Sequence, residues 1–314
     1  MKSSNIYKNG TYTVIIDGTG TKKYIGEQFI ADFPDSLDLK ITEQCLHGCP
    51  FCHESSGKDG KHGDLNQLVL NLIGLPEGVE LAVGGGNALL HPELKQFLLK
   101  IKGHFRVALT VHWKDLINED TKKILEDIVK DKLISSLGVS LADFGKKTSE
   151  SLDIFDSLSS RESFILSNVK PVFHVIPGVT PFKIFKKIFW DPFSFKKILI
   201  LGFKQFGRAE KMELPLEEFK MWRECIQEHT KRGNSLLRHN QTIAFDNLAL
   251  EQLGIKDIVS KEVWNECFMG NEFTHSMYVD ACKGEYAPTS RSPYSERMSW
   301  KDKTVIEYFK ENHL

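Results

Sequence analysis

The chain has 314 residues, a length that suits one large domain or one domain with an appendage. Its 41 Lys and Arg residues nearly balance its 42 Asp and Glu residues, and the net charge of −1 gives no argument for whole-protein binding to nucleic acid or to a membrane surface. The amino terminus lacks the apolar run of a signal peptide, and no apolar stretch is long enough to cross a bilayer. These features predict a cytoplasmic protein.

The first 35 residues are predicted to form an amino-terminal β extension. Residues 11–25 read as two short strands around a glycine-rich turn. Gly18 and Gly20 are interpreted as turn residues of a hairpin, because no helical pattern follows them as it would follow a phosphate-binding loop.

The next notable stretch, residues 45–52, holds three of the six cysteines at the spacing C-x3-C-x2-C. Thiolates so close together repel one another unless a metal compensates their charge, and short cysteine spacings allow one loop to wrap an iron–sulfur cluster. Thiolates from Cys45, Cys49 and Cys52 would leave one iron of a four-iron cube open to a substrate or a cofactor. Such an open iron is typical of a reactive cluster rather than of an electron carrier.

Two other uses of these cysteines compete with the cluster. One is a structural zinc site of the Cys3His type, with His47 or His53 as the fourth ligand. Structural zinc sites usually offer paired C-x2-C elements, and no second pair recurs downstream at the spacing of a zinc ribbon, so the pattern favours iron–sulfur. The other use is a disulfide, which an intracellular chain of this size does not need.

Strand and helix patterns alternate roughly six times between residues 37 and 203. The predicted strands are residues 37–42, 79–83, 105–111, 136–141, 171–176 and 197–203, and the predicted helices are residues 64–75, 93–102, 118–130, 149–157 and 181–188. This alternation predicts an α/β fold with a parallel sheet and helical crossovers, and six units are too few for the complete eightfold barrel. We therefore expect an open, partial barrel whose ligand chemistry gathers at the carboxyl ends of its strands.

With Phe51 directly before the last cysteine, the cysteine loop resembles that of the radical S-adenosylmethionine (radical SAM) enzymes. The resemblance covers residues 36–209 and implies a partial (β/α)6, TIM-like barrel, with residues 36–210 as its core. It implies that the three cysteines hold a 4Fe–4S cluster whose open iron is chelated by the amino and carboxylate groups of SAM. One electron, from a donor such as flavodoxin or ferredoxin, would cleave SAM to methionine and a 5′-deoxyadenosyl radical that removes a hydrogen atom from the substrate.

Gly85, Gly86, Asn87 and Ala88 stand where that family usually carries Gly-Gly-Glu-Pro. Two glycines let the backbone approach a ligand closely, so the resemblance implies that this loop binds the SAM ammonium through backbone groups. Asn87 replaces the usual Glu, and a contact made through the backbone should survive that change. Without the cysteine loop upstream, the same residues would read as a tight turn from strand to helix.

Five further positions are cofactor-binding candidates through the resemblance. Ser140, at the end of the fourth strand, matches a polar residue near the ribose or carboxylate of SAM, and Ile176 and Phe203 match adenine contacts at the next two strand ends. Lys204 and Arg208 follow the last strand and could hold the SAM carboxylate or an anionic substrate, Arg through its bidentate fork. The alternatives are a plain strand-end hydroxyl for Ser140 and a solvated loop for the two cations.

Beyond residue 210 the alternation stops, and residues 211–314 are predicted to form a small α+β carboxyl-terminal cap that covers the open side of the barrel and defines the substrate. The elements predicted here are helices at residues 216–231, 243–253 and 304–312 and a strand at residues 277–280. Cys225, Cys267 and Cys282 are scattered, so they are interpreted as ordinary buried thiols rather than as ligands of further clusters.

Residues 182–211 are dense in Lys and Phe, and basic residues interleaved with aromatic rings can bind phosphates and stack bases. The same aromatic residues recur at helical spacing, which favours a barrel helix with a buried aromatic face. The stretch gives a nucleotide or nucleic acid a small preference over a peptide or protein as the substrate. A non-catalytic iron–sulfur or zinc module is the alternative of another class, and the glycine-rich loop argues against it because such a module needs no second ligand loop.

Overall fold

Two β-sheets organise the fold in the computed structural model, which describes residues 5–16, 21–142, 164–191, 196–231, 237–238, 241–301 and 303–313. The first sheet is antiparallel and contains β1 (Asn5–Asn9), β2 (Tyr12–Ile16) and β3 (Thr21–Ile25). The second contains β4 (Ser36–Thr42), β5 (Glu80–Gly85), β6 (Arg106–His112), β7 (Ser136–Ser140), β8 (Lys170–Val175), β9 (Lys197–Ile200), β10 (Leu237–Arg238), β11 (Gln241–Phe245), β12 (Ser276–Asp280), β13 (Glu285–Ala287) and β14 (Met298–Ser299).

Helices connect most of these strands. The described α-helices are α1 (Leu65–Asn71), α2 (Leu94–Ile101), α3 (Glu119–Lys130), α4 (Phe164–Asn168), α5 (Phe182–Trp190), α6 (Leu216–Lys231), α7 (Asn247–Gln252), α8 (Lys261–Cys267) and α9 (Val305–Asn312). Short 3-10 turns lie at Ala88–Leu90, Trp113–Leu116, Gly207–Ala209, Ile255–Asp257 and Tyr294–Glu296. Asp64 and Asn118 begin α1 and α3 because their side chains accept hydrogen bonds from the first free backbone N–H groups.

Strands β4 to β9 lie side by side in chain order and run parallel to one another. A helical crossover is what allows consecutive strands to pair in parallel. Within the described residues, no strand joins the two ends of the large sheet, whose order is β10-β11-β9-β8-β7-β6-β5-β4-β12-β13-β14. The predicted α/β fold with an open, partial barrel is confirmed.

The carboxyl-terminal region extends this sheet at both of its edges. Strand β11 pairs in parallel with β9, and strand β12 pairs in parallel with β4. The short strands β10, β13 and β14 add antiparallel pairs outside them. Residues beyond 210 therefore form both sides of the opening in the barrel. We call these two sides the lips: β11 with the segments beside it, and β12 with β13 and β14.

The helix predicted over residues 243–253 is wrong in its first part. Residues Gln241–Phe245 form strand β11, in which Ile243 is buried and pairs with Ile198. The helix begins only at Asn247, because the Asp246 side chain accepts a hydrogen bond from the backbone N–H of Ala249. The capping signal was in the sequence, but it marks the start of the helix rather than its interior.

Strand β4 shows how the barrel acquires a polar interior. Leu37, Leu39 and Ile41 point to one face and belong to the apolar core. Asp38 and Lys40 point to the opposite face because successive side chains of a strand alternate between faces. The strand ends at Thr42, so it delivers the cysteine loop directly to the carboxyl edge of the sheet.

Helix α5 buries Phe185 and Phe189, two of the aromatic residues that could otherwise have stacked on bases, whereas its Trp190 is exposed. Ile184, Phe185, Ile188 and Phe189 are almost fully buried. The Phe185 ring stacks on Trp222 of α6 with ring centroids 3.8 Å apart. The core interpretation of this stretch is therefore correct for these residues, and their rings are not accessible to a nucleic acid.

Two predicted elements lie outside the described residues: the helix at residues 149–157 and the turn around Gly18 and Gly20. Among the helices that are described, none has the length and apolar character that crossing a membrane requires.

Candidate active site

One cavity at the carboxyl ends of the parallel strands brings together the predicted site residues, with the exception of Arg208. Those that line it are Cys45, Cys49, Phe51, Cys52, Gly85, Gly86, Asn87, Ser140, Ile176, Phe203 and Lys204. The loops after β4 and β5 and the ends of β7, β8 and β9 contribute them, which is where parallel α/β sheets bind ligands. We call this space the cluster cavity.

The cysteine loop presents three thiols that form no disulfide, each of them partly buried. The loop bends at Gly48, whose φ of +63° is a left-handed conformation that glycine adopts at little cost. Backbone bonds close the loop: Cys45 N–H donates to the Gly57 carbonyl at 2.9 Å, and Cys52 N–H donates to the Cys49 carbonyl at 3.2 Å. Within the described residues, no three His, Cys, Asp or Glu side chains converge on a point for a single ion.

Arg208 holds the cysteine loop from outside the cavity. Its Nε donates to the Cys49 carbonyl at 2.8 Å and its Nη1 donates to the Ser56 carbonyl at 2.8 Å. The Arg208 backbone N–H also donates to the Cys52 carbonyl at 3.0 Å. The sequence reading assigned this guanidinium to the SAM carboxylate or to an anionic substrate; the structure instead directs it to the cysteine loop, so we reassign it as a positioning residue.

Asp115 connects the cysteine loop to the glycine loop. Its Oδ1 accepts from Asn87 Nδ2 at 2.8 Å, and its Oδ2 accepts from the His112 backbone N–H at 3.0 Å. His47 Nε2 lies 3.1 Å from the same Oδ2, and the imidazole is the donor because a carboxylate can only accept. The His47 ring also stacks on His112 at 4.5 Å between centroids.

This network explains Asn87, which stands where the radical SAM enzymes usually carry Glu. Its amide donates to Asp115, and its carbonyl oxygen accepts from the Leu89 N–H and caps the short turn that follows. A Glu carboxylate could not donate to Asp115 and would place two negative charges together. Sequence reasoning missed Asp115, although its position three residues after the strand-end His112 is that of a capping box.

Asp115→Ala is expected to lower the free energy of unfolding by roughly 2–4 kcal/mol, because buried donors of Asn87, His47 and His112 lose their acceptor. Chemical denaturation of the parent and the variant measures this loss. Asp127→Ala, which removes an exposed carboxylate from α3, is the control and should change stability by less than about 0.5 kcal/mol. Equal effects of the two substitutions would contradict the role of Asp115.

Gly85 and Gly86 are required by the packing of the two loops. A Cβ atom on Gly86 would lie 2.4 Å from the Gln44 carbonyl oxygen, and one on Gly85 would lie 2.5 Å from the Thr42 carbonyl oxygen. The backbone N–H of Gly86 donates to Thr42 and that of Asn87 donates to Gln44, both at 2.7 Å. A side chain here would therefore displace the start of the cysteine loop as well as any ligand at the glycines.

A buried ion cluster supports the carboxyl end of the cysteine loop. Lys40, which is 2% exposed, lies 2.9 Å from Glu54, 3.0 Å from Glu43 and 3.0 Å from Asp280. Burial disfavours the charged ammonium, but the surrounding carboxylates outweigh burial and raise the pKa of Lys40. Tyr278 donates to Glu54 at 3.1 Å. The sequence signal for this cluster was limited to a lysine on the polar face of an alternating strand.

Four further predicted site residues line the cavity, namely Ser140, Ile176, Phe203 and Lys204, and so does His174, which sequence reasoning missed. Burial lowers the pKa of His174 to about 4, so its imidazole is neutral at neutral pH. Lys204 Nζ donates to Ser290 Oγ at 2.9 Å, which joins the loop after β9 to the segment after β13. Lys204 is thus fixed in position rather than solvated at the surface.

The other three cysteines differ in their surroundings. Cys225 is buried, Cys282 is partly buried and Cys267 is exposed, so the prediction of buried thiols is wrong for Cys267. Burial and the neighbouring Asp280 raise the pKa of Cys282 to about 12, which leaves it protonated and a poor nucleophile.

Comparison with known proteins identifies solved structures that share this fold. No protein-family model and no curated protein matches the chain. The solved structure of Streptococcus suis SuiB bound to S-adenosylmethionine matches with a TM-score of 0.63 at 13% identity, over 90% of this chain and 67% of that one. SuiB bound to the precursor peptide SuiA matches with a TM-score of 0.63 at 14% identity, over 90% and 66%. Native anSMEcpe with bound AdoMet and Cp18Cys peptide matches with a TM-score of 0.51 at 15% identity, over 88% and 80%.

At these identities the likeness shows the fold alone, and the chain spans about two thirds of the length of SuiB. A fold shared with S-adenosylmethionine-bound proteins is what the resemblance of the cysteine loop implied. The resemblance is therefore borne out at the level of the fold.

Proposed function

We propose that this chain is a radical SAM enzyme, with a 4Fe–4S cluster on Cys45, Cys49 and Cys52 and SAM beside it in the cluster cavity. The observation that carries the proposal is that the cysteine loop and the glycine loop line one cavity at the carboxyl ends of parallel strands. A non-catalytic metal module needs neither the second loop nor the cavity. The SAM-bound neighbours of the same fold support this reading.

The residues present fit such a cluster. Three thiols outside any disulfide lie on one loop, and a cube takes each thiolate on a different iron, so the thiols need not converge on one point. Cys45, Cys49 and Cys52 would hold the cluster, which would supply the one-electron cleavage of SAM to methionine and a 5′-deoxyadenosyl radical that takes a hydrogen atom from the substrate. Arg208 and Asp115 fix the loop from its two sides, so the chain contributes orientation and a partly closed cavity.

For SAM itself, we assign the backbone of Gly85 and Gly86 to the ammonium. Ser140 is assigned to the ribose or carboxylate, and Ile176 and Phe203 are assigned to the adenine. These groups come from different strand ends of the cluster cavity, so a molecule extended across it would meet them in turn. Lys204 remains a candidate for the SAM carboxylate, and flavodoxin or ferredoxin is the class of electron donor that we propose.

We favour a peptide over a nucleotide as the substrate. The preference for a nucleotide rested on lysines interleaved with aromatic residues over residues 182–211, and two of those aromatic residues, Phe185 and Phe189, are buried in the core. SuiB is seen with a precursor peptide and anSMEcpe with a Cp18Cys peptide, and both share the fold.

Anaerobic reconstitution followed by incubation with SAM and dithionite tests the proposed function. We expect about four iron and four sulfide ions per chain and the formation of 5′-deoxyadenosine, measured by metal analysis and mass spectrometry. Omitting the reductant is the control and should leave SAM intact. A protein that retains zinc in place of iron, or that holds the cluster without cleaving SAM, would overturn the proposal.

A further inference from the structure

A second cavity lies in the gap between the two edges of the open barrel. Its walls include Asp38, Lys204, Asp246, Ser276, Ser290 and Arg291. Ser276 begins β12, which lies next to β4 at one edge of the barrel core, and Asp246 follows β11, which lies next to β9 at the other edge. Residues from both lips meet here only because the barrel does not close. We call this space the gap cavity.

The gap cavity adjoins the cluster cavity. Lys204 lines both of them, and its ammonium donates to Ser290 on the opposite lip at 2.9 Å. A molecule that occupies the gap cavity therefore has one end beside the space in which we place SAM. A substrate must approach SAM in this way to lose a hydrogen atom to its radical.

Most charged groups of the gap cavity are already paired. Arg291 Nη2 lies 2.5 Å from Glu272 Oε1. The Asp246 carboxylate accepts from the backbone N–H groups of Gly202 at 2.9 Å and Ala249 at 2.7 Å. These contacts satisfy the groups that they involve, so none of the three side chains needs a ligand.

Asp38 is different. Its side chain projects from the middle of β4 into the gap cavity. The cavity walls surround it, but it is accessible to the solvent inside the cavity. Among the described residues, its carboxyl group accepts no hydrogen bond and joins no ion pair. Burial, together with Asp246 and Glu80, raises the pKa of Asp38, and the longer-range attraction of Lys204 opposes that rise. A carboxylate in such a place is stabilised by a cation that enters the cavity.

We propose that the gap cavity binds the substrate of the proposed radical reaction, and that Asp38 receives a lysine or arginine side chain of a substrate peptide. Acidic side chains outnumber Lys and Arg side chains in the lining of the gap cavity: Asp38, Asp246 and Glu272 compared with Lys204 and Arg291. A phosphate or carboxylate would therefore meet an excess of negative charge. This inference rests on the proposed function, because that function places the reaction at the inner end of the cavity.

Peptide binding to the reconstituted protein with SAM tests the inference without requiring turnover. The probes are acetylated, amidated pentapeptides of sequence Gly-Gly-X-Gly-Gly, in which X is Lys, Arg, Gln or Glu. Ligand-observed NMR titrations give the dissociation constant of each peptide. We expect the Lys and Arg peptides to bind about tenfold or more tightly than the Gln and Glu peptides, as one charge-assisted hydrogen bond requires.

Three variants locate this preference. Asp38→Asn should remove it, and Asp38→Glu, which keeps the charge, should restore most of it. Asp127→Asn removes a carboxylate from the exposed face of α3 and should leave the preference as in the parent. Circular dichroism and iron content show whether each variant is folded and loaded.

Equal binding of the Lys and Gln peptides to the parent would overturn the inference, as would tighter binding of the Glu peptide, which would point to Lys204 and an anionic substrate. A preference that survives Asp38→Asn would overturn it as well. Formation of 5′-deoxyadenosine by the same parent preparation separates the two proposals. If SAM is cleaved and no cation preference is seen, only the substrate inference fails; if SAM is not cleaved, the proposed function itself fails.

Discussion

Replacing Cys45, Cys49 or Cys52 by Ala is expected to remove the brown chromophore, most of the iron and all SAM cleavage. The chain offers these three thiols on one loop, and a cube with an open iron has no ligand to spare. Absorbance, iron and sulfide per chain, and the yield of 5′-deoxyadenosine measure the three losses. Each single variant should fall to the background of the assay, which makes this the largest effect that we expect.

The matched control replaces Cys225, Cys267 and Cys282 by Ala in one chain. These thiols lie apart from the cluster cavity, so the triple variant should keep about four iron ions and its SAM cleavage. A clear fall in its iron content would show that a second metal site exists. Normal iron in any of the cysteine-loop variants would contradict the assignment of the ligands.

Arg208→Ala is expected to lose iron retention and SAM cleavage in parallel, by roughly one to two powers of ten. The substitution removes two charge-assisted hydrogen bonds that hold the carbonyls of Cys49 and Ser56. The rate at which a chelator removes iron and the uncoupled yield of 5′-deoxyadenosine are the two measurements. Arg208→Lys should rescue little, because an ammonium lacks the planar fork that reaches both carbonyls.

Lys211→Ala is the control for Arg208, since it removes an exposed cation from the same segment. Its iron retention and SAM cleavage should equal those of the parent. If Arg208→Ala instead keeps its iron and its uncoupled cleavage while it loses substrate turnover, Arg208 serves the substrate, and the positioning role is wrong.

Much of the fold follows from local pattern. Six parallel strands and the helix α6 at Leu216–Lys231 stand close to where the sequence predicts them, because alternating and helical periodicities persist over several residues. Strand β11 escaped prediction because its residues Gln241–Phe245 run straight into a genuine helix start at Asp246. Its identity as a strand depends on pairing with β9, which no local pattern shows.

The residues of the candidate site likewise divide into those that local sequence predicts and those whose role depends on distant partners. Cys45, Cys49, Cys52 and the glycines 85 and 86 were identifiable because their spacing alone specifies the chemistry or the turn. The prediction that Arg208 binds SAM or an anionic substrate did not anticipate its contact with Cys49, because Cys49 lies 159 positions earlier in the chain. A cation after a strand end has many possible partners, and only the folded chain selects one.

The sequence by itself determined strands β4 to β9, the cysteine loop and the glycine loop, since each depends on residues close together in the chain. Tertiary structure alone decided the partners: Asp115 with His47, 68 positions away, and Lys40 with Asp280, 240 positions away. It also placed Asp38 in the gap cavity, because the gap exists only when β11 and β12 pair with opposite ends of the β4–β9 core. Contacts across such separations depend on how the whole chain closes, and this is why sequence patterns of a few residues do not contain them.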